Sequence, residues 1–235
     1  MTSPILITGA GQRIGLAFAH HCLEKGQAVI VTYRTERPAV VELRKAGALC
    51  IAADLSSNEG VMALVNAIKQ QTTSLRAIIH NASDWLPESV DKDPGDVMAT
   101  MMQIHATAPY LINLGLSDLL KNSASVSDIV HMTDFVVKKG SARHIAYAAS
   151  KAALDNLTLS FARLMSPQVK VNSIAPSLII FNDGDSEEYR KKTLKKSLLG
   201  IEPGAGVAVQ TLQFLLDNPY MTGQTIPLDG GRHLV

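Results

Sequence analysis

The sequence predicts an α/β fold: a doubly wound parallel sheet of about seven strands with helices on both faces. Three observations carry this. Short apolar runs alternate with helix-length segments along the chain. Most of the runs are apolar on both faces, as strands covered by helices on two sides must be. The first run ends in a glycine-rich turn that opens a helix. No repeat or low-complexity segment interrupts the pattern, so the 235 residues read as one domain, 1–235.

The strands are expected at residues 4–8, 27–33, 48–53, 75–80, 128–132, 169–174 and 224–228, where β-branched and other apolar residues cluster. Between the first two, residues 14–25 place Ile14, Phe18 and Cys22 on one helical face, and Gly26 supplies the stop. Residues 57–71 carry Val61, Leu64, Val65 and Ile68 on one stripe, with Ser56 or Ser57 as N-cap. Segments 106–121 and 145–165 are long helical patterns with apolar residues on more than one stripe, which predicts a second buried face and a homo-oligomer. Residues 182–196 are polar and lysine-rich, and read either as a solvated loop plus helix or as a flap over a site.

Composition narrows the function classes. Hydrophobic residues make up 46% and charged residues 18%, which excludes general disorder. With 22 basic and 21 acidic residues and no long charge run, neither nucleic acid nor a membrane surface is an expected partner. Cys22 and Cys50 cannot build a disulfide framework and point to a reducing compartment, the cytoplasm. The start, Met1-Thr2-Ser3-Pro4, lacks the basic and apolar regions of a signal peptide. His20, His21, His80 and His144 show no metal-ligand spacing, and no metal site is expected.

The turn Thr8-Gly9-Ala10-Gly11-Gln12-Arg13-Ile14-Gly15 lies directly after the first strand. Glycines there let the backbone approach a pyrophosphate lodged at the positive end of the following helix. Arg13, a bulky cation within the turn, is expected to face a phosphate or the substrate. The second strand ends in Tyr33-Arg34-Thr35, where a site for NAD would carry an acid to hold the ribose hydroxyls. Arg34 can instead pair with a 2′-phosphate and Thr35 can add a hydroxyl, so NADPH is the expected cofactor. Tyr147 and Lys151, four apart in Tyr147-Ala148-Ala149-Ser150-Lys151, share one helical face. An ammonium near the phenol favours the phenolate and is expected to lower the tyrosine pKa.

Together these features resemble the short-chain dehydrogenase/reductase family, a Rossmann fold, over essentially the whole chain. The resemblance rests on Thr8 to Gly15, Asp54, Asn81-Ala82-Ser83, Tyr147 with Lys151, Pro176, and Gly223 through Asp229-Gly230-Gly231. It implies that Asp54 bonds the adenine, that the Asn81-Ala82 turn lies against the cofactor, and that Pro176 lies near the nicotinamide. The cofactor set so implied is Gly9, Gln12, Arg13, Ile14, Gly15, Arg34, Thr35, Asp54, Leu55, Asn81, Ala82, Ser83, Tyr147, Lys151 and Pro176. A tetramer is common in the family.

Three departures from the family pattern are informative. The serine usually found thirteen residues before the tyrosine is Asp134, the usual glycine before Ile14-Gly15 is Arg13, and the usual asparagine is His105. The first two resemble the pteridine reductase branch, as does Asn81-Ala82-Ser83-Asp84-Trp85, where that branch stacks an aromatic on the pterin. The branch implies NADPH-dependent reduction of 7,8-dihydromonapterin to tetrahydromonapterin, with dihydrofolate or dihydrobiopterin as side substrates. Tyr147, Lys151 and Asp134 would be catalytic, and Arg13, Ser83, Trp85, Asp134 and Tyr147 would hold the substrate. The chemistry agrees: a carboxylate suits the amino and N–H donors of a pterin better than it suits a ketone, and Trp85 offers a flat surface to a flat heterocycle. Two other readings are a reductase of a carbonyl substrate such as a 3-oxoacyl group, against which Asp134 argues, and a low-turnover NADP-binding sensor, against which Tyr147 and Lys151 argue.

Overall fold

The computed structural model describes residues 3–88 and 91–235. Met1 and Thr2, part of the reading of the chain's start, lie outside the described residues.

Seven parallel strands form one sheet in the order β3-β2-β1-β4-β5-β6-β7. They are β1 (Ile5–Ile7), β2 (Val29–Tyr33), β3 (Leu49–Ala52), β4 (Ala77–His80), β5 (Ser127–Met132), β6 (Val169–Pro176) and β7 (Thr225–Leu228). The helices are α1 (Arg13–Glu24), α2 (Pro38–Lys45), α3 (Asn58–Gln71), α4 (Pro94–Met102), α5 (Ala108–Gly115), α6 (Ser117–Lys121), α7 (Val136–Lys139), α8 (Ile145–Met165), α9 (Glu187–Leu194) and α10 (Ala205–Asp217). A π-helical turn, Gln103–Thr107, joins α4 to α5, and a 3₁₀ turn covers Arg232–Leu234.

The two-residue period of the strands divides the core. Ile5, Ile7, Ile79 and Val130 point to one layer, against Phe18, Ala19 and Cys22 of α1, Leu43 of α2, and Leu212 and Leu215 of α10. Leu6, Ile78 and Ile129 point to the other, against Val61, Leu64, Val65 and Ile68 of α3, Ile112 of α5, and Phe161 and Met165 of α8. Ser57 caps α3, its hydroxyl accepting from the Gly60 amide at 3.1 Å, and α1 ends before Gly26 at φ +73°.

Five of the seven strands are largely buried, and the edge strands β3 and β7 are not; Leu49 is 38% exposed. One expectation needs correcting. Segment 106–121 is not one helix, because Pro109 has no N–H to give the His105 carbonyl, and the chain widens into the π turn and breaks again at Leu116. Segment 182–196 contains a helix, α9, after a turn. No described helix is long and apolar enough to cross a membrane.

Strand order reverses between β1 and β4, and crossovers to either side leave the sheet at that point. Open α/β sheets hold ligands in the crevice this creates at the carboxyl ends of the strands.

Candidate active site

A cleft of about 550 Å³ lies there. Gly9, Gln12, Arg13, Ile14, Arg34, Thr35, Asp54, Leu55, Asn81, Ala82, Ser83, Trp85, Asp134, Tyr147, Lys151 and Pro176 all line it. Of the residues expected at the site, Gly15 alone is not in the wall; it packs beneath, where a Cβ would come 2.5 Å from Asn81 Nδ2.

The floor is two turns locked together. Thr8 Oγ1 accepts from the amides of Asn81 and Ala82, at 3.0 Å each. Asn81 Nδ2 donates to the carbonyls of Thr8 and Gly9. Gly9 has φ +66°, and a Cβ there would sit 2.7 Å from Ala82 Cα, so no other residue fits. Above this floor the N-terminus of α1 carries no side-chain cap, and its first amides are free to meet an anion.

Arg13 is the one described non-glycine residue in the left-handed region, at φ +54°. Its guanidinium donates to Asn182 Oδ1 and to the Ile180 carbonyl, both at 2.7 Å, and so ties the glycine turn to the segment that follows β6. Arg34 reaches across the cleft to Asp84, Nη1 to Oδ2 at 3.1 Å. Asp54 accepts from the Ser56 amide at 3.0 Å, which holds its carboxyl below the ordinary range.

At the far end Tyr147 Oη donates to Asp134 Oδ2 at 2.8 Å. The other oxygen, Oδ1, accepts from the Val136 amide, the first of α7, at 2.8 Å. Lys151 Nζ donates to the Met132 carbonyl at 2.8 Å and stands 5.7 Å from the centre of the tyrosine ring. Burial raises the Asp134 carboxyl, and burial together with Asp134 pushes the Tyr147 phenol well above its ordinary value. That corrects the expectation that Lys151 lowers it: desolvation and a facing carboxylate outweigh an ammonium whose hydrogen bond goes elsewhere. Burial brings Lys151 itself down to about 8.

Trp85 stacks on His144, centroids 4.1 Å apart and planes within 15°, and remains 60% exposed. His105, in the π turn, is buried and brought down to about 2 by desolvation, so it is neutral. The Asp84 amide can only donate, so Nε2 accepts, from it and from Ser83, while Nδ1 donates to Ser150 Oγ. The His105 ring also meets Tyr147 edge-on at 5.4 Å. His131 and His80 lie off the cleft, in a buried ladder from His80 through Asn113 and His131 to Thr158. Among the described residues no group of three or more His, Cys, Asp or Glu could hold a metal ion.

Sequence reasoning missed Asp84, which lies 50 residues from the Arg34 it pairs with, and Glu88, whose carboxylate accepts from the amides of Ile145 and Ala146 at the start of α8. It also missed Arg232, whose guanidinium lies 4.3 Å over the Phe135 ring and donates to Ser177 Oγ. No local spacing links such residues; only the fold brings them together.

Comparison with known proteins adds an independent line. A family model described as short chain dehydrogenase matches residues 3–189. The chain is 56% identical over 232 residues to a dihydromonapterin reductase of Klebsiella pneumoniae subsp. pneumoniae, covering 98% of this chain and 97% of the relative. It is 55% identical, with the same coverage, to a dihydromonapterin reductase of Escherichia coli O6:K15:H31. Among solved structures, FolM alternative dihydrofolate reductase 1 from Brucella canis, complexed with NADP, superposes with a TM-score of 0.87 at 25% identity, over 99% of this chain and 95% of the other.

Proposed function

The chain belongs to the short-chain dehydrogenase family, and we propose that it is an NADPH-dependent reductase of reduced pterins, converting 7,8-dihydromonapterin to tetrahydromonapterin, with dihydrofolate or dihydrobiopterin as further substrates. The observation that carries the reading is the 2.8 Å bond from Tyr147 to a carboxylate, Asp134, where the family usually has serine. It agrees with the reductase names of the relatives that match nearly the full chain.

The cleft fits the cofactor. The uncapped amides of α1, above the turn that Gly9 lets pack on Ala82, suit a pyrophosphate, and Arg34 with Thr35, in place of an acid, suits a 2′-phosphate. The turn residues Gln12, Ile14 and Gly15, then Asp54 with Leu55, Asn81, Ala82 and Pro176 complete the cofactor wall. When bound, NADPH supplies the hydride that adds to C6 of the dihydropterin. Tyr147 Oη gives the proton that N5 takes up, so the C=N bond gains one hydride and one proton. Asp134 holds the phenol in line. The phenolate that Tyr147 becomes regains its proton from solvent before the next turnover. Lys151 steadies the nicotinamide ribose. Trp85 faces the pterin ring, and Arg13 and Ser83 lie between pterin and cofactor phosphates.

The enzyme works as a homotetramer in the cytoplasm. Tyr110 and Leu114 on α5 and Leu159 and Leu164 on α8, all exposed, support the first statement, and the free thiols Cys22 and Cys50 support the second. Light scattering at micromolar concentration should give four chains; a monomer would count against the assembly.

The deciding experiment is a set of initial rates with NADPH and NADH on dihydromonapterin, dihydrofolate and a 3-oxoacyl ketone. Turnover of the dihydropterins with NADPH is expected, and turnover of the ketone alone would overturn the assignment.

A further inference from the structure

His105 stands where the family usually has asparagine, and no step of the proposed reaction uses it. Its place is set by the π turn, Gln103–Thr107, which opens because Pro109 has no N–H for the His105 carbonyl. The ring is buried between the loop after β4, which carries Ser83 and Trp85, and α8, which carries Tyr147 and Ser150.

A neutral imidazole has one N–H and one nitrogen lone pair to share. Nε2 meets the Asp84 amide at 3.3 Å and the Ser83 hydroxyl at 2.9 Å. The amide has only a hydrogen to offer, so Nε2 carries the lone pair and Nδ1 the hydrogen, which goes to Ser150 Oγ at 2.9 Å. Ser150 gives its own hydrogen to the Tyr147 carbonyl at 2.8 Å. Ser83 Oγ must therefore aim its single hydrogen at Nε2. The other acceptor within reach, the Asp84 carbonyl at 3.4 Å, would claim the same hydrogen. With either partner that hydrogen stays inside the protein, and Ser83 Oγ offers the cleft lone pairs only.

The surroundings have the same polarity. Ser83 stands near enough to the Tyr147 phenol to act on its proton affinity, which puts it at the reacting end of the cleft, and its 2.9 Å bond goes to His105. Asp134, at the same end, already accepts from Val136 and Tyr147 and has further carboxylate lone pairs. The Trp85 amide is spent on Asp84 Oδ1. A ligand that reaches Ser83 and Asp134 thus meets acceptors and must bring hydrogens to them. The amino and ring N–H groups of a dihydropterin do so. A ketone oxygen brings only more lone pairs and leaves both acceptors unpaired.

Resting on the pterin reductase reading, we infer that His105 is a positioning residue that sets specificity: by taking the Ser83 hydrogen it makes that hydroxyl an acceptor for an N–H group of the dihydropterin. Asparagine at this position would hold its amide where Nδ1 stands, able to meet Ser150 but too short for Ser83, whose hydrogen could then turn into the cleft. Glutamine reaches the Nε2 position, and the Asp84 amide would draw its oxygen, the acceptor, to that side.

The first test needs no turnover. In nitrogen NMR of histidine-labelled protein, the His105 signals, identified by their loss in His105→Gln, should show the hydrogen on Nδ1 and none on Nε2. A hydrogen on Nε2 overturns the proposal. The second test is steady-state kinetics with NADPH and dihydromonapterin. His105→Asn should raise KM by about fivefold or more, with a smaller change in kcat, and His105→Gln should bring KM back to within about twofold of wild type. Ser83→Ala should raise KM as much as His105→Asn does, and the double variant should be no worse than Ser83→Ala alone. An unchanged KM in His105→Asn, or losses that add in the double variant, overturns the proposal. If His105→Asn does not fold, the tautomer and the KM of Ser83→Ala decide. If wild type reduces neither dihydropterin, the proposed function falls, and the NMR spectrum still judges which nitrogen takes the Ser83 hydrogen.

Discussion

Asp134 accepts from the Val136 amide with one oxygen and from Tyr147 with the other, so its substitution disturbs both a helix start and the Tyr147 phenol, the proposed proton donor. Asp134→Ser should cut kcat/KM for dihydromonapterin at least tenfold, about 1.4 kcal/mol of transition-state stabilisation. Weak ketone reduction should rise, because a neutral hydroxyl no longer repels a developing alkoxide. Rates on both substrate types, with melting curves to confirm folding, decide this. Lys151 titrates near 8: it is an ammonium below that pH and loses its charge above it. In the proposed mechanism the charged form steadies the ribose hydroxyls, so kcat/KM should fall as pH rises through about 8. Lys151→Arg, charged throughout, should lack that descending limb whatever its absolute rate. A wild-type profile flat from about pH 6.5 to 9.5 would remove Lys151 from the chemistry.

Helix α8 carries both Tyr147 and Lys151, yet its N-terminus is capped from far away. No side chain at His144 caps it, and the Glu88 carboxylate takes the Ile145 and Ala146 amides at 2.8 and 2.7 Å. Glu88→Ala should cost about 1 kcal/mol, roughly 2–4 °C in Tm for a chain of this size, by thermal melting. Between β4 and β5, Asn113→Leu would strand the facing nitrogens of His80 and His131, both fully buried, and should cost at least about 2 kcal/mol in urea unfolding. Which elements the sequence could reveal follows from where their causes lie. The strands were legible because burial on both faces writes itself into consecutive residues. Helix α8 was legible to both its ends, and the cap of α3 to one of two serines, Ser56 or Ser57. Which strands form the exposed edges, β3 and β7, was not legible, since Leu49-Cys50-Ile51 is as apolar as an inner run. The π turn was invisible because Pro109 alone signals it, and a proline near a helix start reads as ordinary.

At the scale of the molecule the sheet order sets where a ligand must go, and ligand binding should register as global stability. With NADPH at one hundred times its Kd, unfolding free energy should rise by about 2.7 kcal/mol, seen as a Tm increase in a thermal shift. Arg34→Ala should abolish most of the advantage of NADPH over NADH in that assay, while equal losses for both cofactors would remove Arg34 from the choice. Residues that line the cleft through a local motif were readable from the chain: the glycine turn, Asn81-Ala82-Ser83, and Tyr147 with Lys151. Their partners were not. Asp84 opposite Arg34, Glu88 beneath α8 and Arg232 beside Asp134 are each set by a crossover, and no spacing along the chain encodes it. The contact of Gly9 and Gly15 with Ala82 and Asn81 also bears on anyone who would re-engineer this enzyme for another coenzyme. The two turns are a single exchangeable part. Residues 8–15 grafted alone would arrive with their carbonyls unanswered and their glycines facing the wrong backbone, so a graft must carry both turns or neither.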